Sequence, residues 1–217
     1  MIIHNFGAEN SLLNQFVAEL RDVNIQKDSM RFRRNIERIG EILSYELSKT
    51  LNYKVNTVQT PFGHKAMSLP LNNLVLCSVL RAGLPLHRGL LNYFDKAENA
   101  FISAYRHHPG EGDEFDVIVK YFAAPALGGK TLILTDPMLA TGKTLENVLN
   151  ALKSHGQPKQ IHIISVIGSK AGIAYVKSVF PENTHLWIAA IDDELPGKGY
   201  IIPGLGDAGD LSYGTKL

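Results

Sequence analysis

Five stretches of this chain run almost without a polar break: residues 74–80, 100–105, 131–135, 161–167 and 185–191. Each is short enough for a strand, and each is rich in Val, Ile and Leu. Patterns with helical spacing separate most of them, at 84–94, 143–155 and 170–179. Strands that are apolar on both faces and alternate with helices predict an α/β fold, a parallel sheet flanked by helices on both faces. Upstream, Leu12, Leu13, Phe16, Val17 and Leu20 predict a short helix over 11–22. Ile36, Ile39, Leu43 and Leu47 form the stripe of a longer one over 29–50, with Ser29 as its N-cap. Residues 53–60 alternate and predict an edge strand. In such folds ligands bind beyond the carboxyl ends of the strands. Arg81, Arg106 and Asp136 fall there.

Composition narrows the function classes. The 217 residues carry a net charge of +1, which speaks against a broad nucleic-acid or membrane surface. Cys77 is the single cysteine, so there is no intramolecular disulfide, and a reducing, cytoplasmic setting is expected. It sits in an apolar run and reads as a buried structural thiol. No signal-peptide pattern, membrane-length apolar run or zinc-spaced Cys/His cluster is present. Arg31, Arg33, Arg34 and Arg38 gather on the second helix. They read first as a solvated face, and second as a site for a phosphate-bearing effector or a subunit contact.

The chemistry concentrates at 131–144, Thr-Leu-Ile-Leu-Thr-Asp-Pro-Met-Leu-Ala-Thr-Gly-Lys-Thr. An apolar strand ends in Asp136, and Pro137 forces the chain out of the strand. Thr141, Gly142, Lys143 and Thr144 then open a helix. Unpaired amides at a helix start make an anion site, and two hydroxyls and an ammonium reinforce it. Two phosphate chemistries fit this cradle. A Walker A loop needs glycine where Pro137 stands, and proline lacks the N–H that position supplies. A ribose-phosphate loop accepts the proline. Two further segments are expected to be loops: a polar lid over 107–116, and a glycine-rich tail from Pro196 to Asp210. Tyr200, Ile201, Ile202 and Leu205 suggest that the tail is ordered. Its main chain suits recognition of a flat hydrogen-bonding ring. Asp192 and Asp193 read as caps for it, and Asp210 as a turn stabiliser.

Four separated segments resemble those of the uracil phosphoribosyltransferases, in the same order. Val79-Leu80-Arg81-Ala82-Gly83-Leu84 resembles their diphosphate loop, and Ala104-Tyr105-Arg106 their second arginine position. Asp136 to Thr144 is similar to their phosphoribosyl-diphosphate (PRPP) loop. Gly199 to Asp210, reading Gly-Tyr-Ile-Ile-Pro-Gly-Leu-Gly-Asp-Ala-Gly-Asp, resembles their uracil loop and is the most specific of the four. Two departures stand out. Lys143 replaces a usual glycine, and Leu84-Pro85-Leu86 replaces Leu-Gly-Met.

The resemblance implies one phosphoribosyltransferase domain over 1–217, with a small hood from the N- and C-terminal segments. It implies transfer from PRPP to uracil, giving uridine monophosphate and diphosphate. Arg81, Arg106 and Asp136 would be catalytic. Arg81, Ala82, Gly83, Arg106, Asp136, Pro137, Met138, Leu139, Ala140, Thr141, Gly142, Lys143, Thr144 and Asp207 would hold PRPP. Ile201, Gly206, Asp207 and Ala208 would hold uracil, with Ile201 against the ring. No residue would ligate a metal directly; Mg²⁺ would ride on PRPP and water. A GTP effector and a homo-oligomer are further implications. The alternatives left open are a phosphoribosyltransferase for another base, a nucleotide-binding regulatory homologue, and a P-loop kinase.

Overall fold

The computed structural model describes residues 1–107, 116–196 and 199–216, with backbone alone for 104–107 and 116–120. In chain order the elements are β1 (Ile2–Asn5), α1 (Leu13–Arg21), α2 (Ser29–Ser48), β2 (Tyr53–Thr60), β3 (Gly63–Pro70), β4 (Leu74–Leu80), α3 (Gly83–Leu91), β5 (Glu98–His107), β6 (Asp116–Ala123), β7 (Thr131–Thr135), β8 (Met138–Leu139), α4 (Lys143–Leu152), β9 (Gln160–Ser169), α5 (Lys170–Val179), β10 (His185–Asp192) and α6 (Ala208–Tyr213).

The main sheet runs β1-β10-β9-β7-β4-β5-β6, and β8 adds to β9. Every pairing in it is parallel except β5 with β6. From β4 the chain crosses through α3 to β5 on one side. It then returns to β7 on the other side of β4 and continues through α4 and α5 to β9 and β10. The connections therefore reverse direction between β4 and β7, and a crevice opens there at the carboxyl ends. Helices cover both faces. Leu13, Leu20, Ile36, Ile39, Leu43, Leu47, Leu86 and Leu90 of α1, α2 and α3 form a fully buried layer on one face. Leu145, Val148, Leu152, Ile173 and Val176 of α4 and α5 form the other. Cys77 lies inside that second layer, and burial pushes its thiol up to about 12. No helix among the described residues is long and apolar enough to cross a membrane.

The N- and C-terminal segments meet above the first layer. Arg21 of α1 donates two hydrogen bonds to Asp192 (2.7 and 2.8 Å) and one to the Gly204 carbonyl (2.9 Å). Arg33 of α2 donates to the Ser212 carbonyl at 2.6 Å and lies over the Tyr213 ring. Ile201, Leu205 and Ala208 join the same core.

Several local expectations change. The α2 cap is Asp28, whose carboxylate accepts the Arg31 amide, not Ser29. Leu12 is exposed, because α1 begins at Leu13, two residues after the expected start. Residues 53–60 do form a strand, but it pairs only with β3 in a separate hairpin. Its alternation satisfies cross-strand pairing, and neither face is covered. The strands β1, β3, β6 and β8 and the helix α6 lie outside the sequence reading. The arginines of α2 are not a simple solvated face. Arg31 forks onto Glu19 (2.9 and 3.0 Å), Arg34 pairs with Glu37, and Arg38 lies over Phe16. The amides and guanidinium around Glu19, Arg31 first and Asn35 second, hold its carboxyl down at about 2.

At the β1 side of the sheet, three histidines on three adjacent strands surround Trp187. The Trp187 Nε1–H donates to His162 Nδ1 at 3.0 Å, His4 stacks on the indole at 3.8 Å, and His4 Nε2 lies 3.0 Å from His185 Nδ1. Burial, then the charges of His185 and His4, push His162 down from 6.5 to about 3. The unfolded chain therefore takes up this proton first. The stability it contributes is complete above pH 6.5 and is lost as pH falls toward 3. Between pH 7 and 5 the loss from this group is about 2 kcal/mol. Urea melts of wild type and His162→Gln at pH 7 and 5 should show a shallower acid loss in the variant. Equal losses would refute the role given to His162.

Candidate active site

Two loops flank the crevice at the switch point. The first follows β4. Its Leu80–Arg81 peptide is cis, and Ala82 caps α3 with Gly83 as the first helical residue. Arg81 Nη2 donates to Asp210 Oδ1 at 2.9 Å and to the Gly214 carbonyl at 3.1 Å. The arginine expected from the strand end is therefore held by the C-terminal segment, which is 129 residues away in sequence for Asp210.

The second loop follows β7 and carries the sugar-phosphate motif. Three of its carbonyls are turned toward the sheet and α5. The Asp136 carbonyl accepts from Ser165 Oγ at 2.6 Å. The Pro137 carbonyl accepts the amides of Val166 and Ile167, at 3.1 and 3.0 Å. The Ala140 carbonyl accepts from Ser169 Oγ at 2.6 Å. Asp136 Oδ1 accepts the Met138 amide at 3.1 Å, which turns the carboxylate back over its own loop. Among the described residues, the amides of Thr141, Gly142, Thr144 and Leu145 have no protein acceptor. They sit around a recess lined by Asp136, Met138, Leu139, Ala140, Thr141, Gly142, Thr144 and Leu145. Gly142 stands at φ +80°, the left-handed turn that starts α4, with Tyr175 and Val176 closing the space where a Cβ would go. Lys143 is exposed at the mouth, and its amide donates to Thr141 Oγ1. Amides without a protein acceptor beside a helix start are the arrangement that an anion needs.

The third element is the tail. Asp192 Oδ2 accepts the Gly204 amide at 3.0 Å, so this aspartate does anchor the tail loop, whereas Asp193 pairs with Lys170. Asp207 caps α6 by accepting the amides of Gly209 (2.8 Å) and Asp210 (3.0 Å). Burial works upward on its carboxyl. The Asp210 amide, the Lys216 charge and the Gly209 amide outweigh it and hold the group below the usual carboxylate range. The Ala208 amide donates to Met138 Sδ at 3.3 Å, which ties the tail to the phosphate loop. Gly206 is exposed at φ +87°. The Ile201 side chain is 5% exposed and packs in the core, so it offers the loop surface its main chain. Tyr200 and Ile202 are the exposed neighbours.

Of the residues expected from sequence, Arg81 to Gly83, Asp136 to Thr144 and Gly206 to Ala208 come together at one end of the sheet. Arg106 lies within β5, paired in register with Val117, rather than beyond the strand end; only its backbone is described. The lid expected at 107–116 falls almost wholly on 108–115, outside the described residues. Sequence reasoning missed Ser165, Ser169 and Arg21 and the pairing of Asp210 with Arg81. The only local trace of them is a polar residue breaking an apolar strand at Ser165 and Ser169.

Comparison with known proteins agrees with this geometry. The family model described as uracil phosphoribosyltransferase matches residues 8–215. A uracil phosphoribosyltransferase of Porphyromonas gingivalis (strain ATCC 33277) is 54% identical over 216 residues, covering 100% of this chain and 99% of that protein. One from Thermococcus gammatolerans is 37% identical over 212 residues, covering 96% and 92%. The solved structure of the AQ2163 protein from Aquifex aeolicus superposes with a TM-score of 0.88 at 28% identity over all of both chains. A purine phosphoribosyltransferase from Pyrococcus horikoshii, 19% identical over 74% of this chain and 91% of its own, shares the fold with a TM-score of 0.50. A parallel sheet with a phosphate loop at its switch point, and a sequence match running almost end to end, place this chain in the uracil phosphoribosyltransferase family.

Proposed function

We propose that the crevice between β4 and β7 transfers the phosphoribosyl group of PRPP to N1 of uracil, releasing diphosphate and forming uridine monophosphate. The observation that carries this reading is the loop from Asp136 to Thr144. Three of its carbonyls face the sheet and α5 while its helix-start amides surround a recess. The 5-phosphate binds the amides of Thr141, Gly142, Thr144 and Leu145 and the hydroxyls of Thr141 and Thr144, with Lys143 adding charge and Pro137, Met138, Leu139 and Ala140 shaping the floor. Asp136 accepts from the ribose hydroxyls and orients the ring. Arg81 and the Ala82 and Gly83 backbone take the diphosphate, and Arg106 adds charge from β5. Arg81 and Asp210 are both half-buried, and Asp210 meets one arm of the guanidinium with one oxygen, so a diphosphate that fills the fork displaces it.

The bond from ribose C1 to the diphosphate oxygen breaks as the bond to uracil N1 forms, and the N1 proton passes to water. Positive charge develops on the ribose and negative charge on the leaving group, so positioning and charge stabilisation are the main requirements. The main chain of Ile201 and of Gly206, Asp207 and Ala208 reads the base through one N–H and one C=O. A base with the opposite donor and acceptor order leaves buried groups unpaired and is rejected. Among the described residues no three His, Cys, Asp or Glu side chains form a metal-binding group. Single carboxylates such as Asp136 and Asp207 suit Mg²⁺ carried on PRPP and water, because this ion keeps its hydration shell. When bound it neutralises charge on the departing diphosphate.

The same proposal places the chain in the cytoplasm, where its single buried cysteine suits a reducing milieu. It includes a homo-oligomer, supported by Val55, Phe62 and Met67 left uncovered on the β2–β3 hairpin. It also includes a phosphate-bearing effector such as GTP. A hollow of about 620 Å³ beside Arg33, Arg34, Arg88 and Tyr213 supports that effector.

Diphosphate release from PRPP, measured with uracil, cytosine, hypoxanthine or no base, should require uracil. Release with hypoxanthine alone, or RNA binding without turnover, would overturn the assignment. Asp136→Asn and Arg81→Ala should each lower turnover by about 100-fold or more while the melting temperature moves little. Turnover unchanged in both would remove their roles. Lys143→Gly should keep activity within about fivefold, since the neighbouring amides do the binding and the exposed side chain only adds charge. Complete loss would show that the ammonium itself is needed.

A further inference from the structure

Ser165 and Ser169 stand four residues apart on β9, and both are fully buried. In an apolar strand a buried hydroxyl needs a reason, because it must find a partner to offset its lost hydration. The partners here are the two ends of the phosphate loop. Ser165 Oγ donates to the Asp136 carbonyl at 2.6 Å, and Ser169 Oγ donates to the Ala140 carbonyl at 2.6 Å. Between those ends the β9 backbone serves the loop directly. Pro137 accepts from Val166 and Ile167, and β8 pairs Met138 with Ile167 and Leu139 with Gly168. At Asp136 and Ala140 a side-chain hydroxyl of β9 donates in place of an amide.

The surroundings leave the Ala140 carbonyl little freedom. Gly172 packs so closely that a Cβ there would lie 2.1 Å from that oxygen. Its amide donates to Ser169 Oγ at 2.8 Å, which fixes the hydroxyl hydrogen on Ala140. A buried carbonyl without a donor would draw on the nearest N–H group. Beside Ala140 that group is the Gly172 amide, which loses its own acceptor together with Ser169 Oγ, so the loop settles against α5 in a new position.

We propose that Ser165 and Ser169 are positioning residues for the phosphate loop. They hold its carbonyls toward β9, so that the amides of Thr141, Gly142, Thr144 and Leu145 point at the donor's phosphate. This rests on the reading that the loop takes the 5-phosphate of PRPP.

The test uses the full-length chain and its Ser165→Ala, Ser169→Ala and Ser165→Thr variants, with Ser178→Ala as control. Ser178 is exposed on α5, and its hydroxyl bonds only its own helix, at the Tyr175 carbonyl. Calorimetry with ribose 5-phosphate reads the loop without turnover, and steady-state kinetics give separate Michaelis constants for PRPP and uracil. Each Ala variant should bind ribose 5-phosphate about tenfold more weakly, as for one lost hydrogen bond beside a charged ligand. The Michaelis constant for PRPP should rise in step, while that for uracil moves less than twofold. Ser165→Thr keeps the donor and should recover most of the affinity. Should Ser169→Ala fail to fold, Ser165→Ala carries the test, because Ser165 caps no helix. Unchanged ribose 5-phosphate affinity in the Ala variants, or equal losses for both substrates, would overturn the proposal. Wild-type protein that binds no ribose 5-phosphate would instead remove the loop assignment beneath it.

Discussion

The site depends on one requirement of backbone chemistry: a loop that presents amides to an anion must dispose of its carbonyls elsewhere. Every peptide unit except the one at a proline nitrogen carries both groups, and a carbonyl facing a phosphate would repel it. Here the disposal is done by β9. It takes the Asp136 and Ala140 carbonyls on hydroxyls and the Pro137 carbonyl on amides. The loop is thereby bonded along one side to the rigid centre of the sheet. Its other side, at the start of α4, is left with amides that have no acceptor among the described residues. The anion site follows from a direction imposed on the chain, and the charge of Lys143 is secondary to it.

That requirement also explains where the site lies. The connections reverse between β4 and β7, so two loops leave neighbouring strands in opposite directions and part around a crevice. One brings Arg81 and the other Asp136. The tail closes the third side by long-range ties: Arg21 to Asp192 and Gly204, Arg33 to Ser212, and Ala208 to Met138. Asp192 is largely buried, so removing Arg21 would leave a carboxylate with too few partners. Such losses are far more damaging than loss of a surface pair. The tail lacks regular structure over most of its length, yet its path is fixed by charge pairs and glycine turns.

Much of this was legible in the sequence. The strands β4, β7, β9 and β10 are buried on both faces and therefore unbroken in hydrophobicity, which is the pattern a sequence reveals most clearly. The phosphate loop is contiguous, so its acid, proline and Thr-Gly pair could be read together. What stayed hidden was non-local or weakly patterned. β1 is too short to show a period, and β6 is an antiparallel edge strand of mixed character. The strand at 53–60 has a true alternation, but alternation alone does not say which sheet a strand joins. Asp210 reads as a turn residue until the fold sets it against Arg81, and Ser165 and Ser169 gain partners only when the loop folds onto β9.

The central claim is tested most directly by following backbone amide resonances while ribose 5-phosphate is added to the full-length protein. The account predicts that the largest shifts fall on Thr141, Gly142, Thr144 and Leu145, saturating together, with β9 amides little changed. Saturable shifts confined to other residues, with these four unmoved, would contradict it.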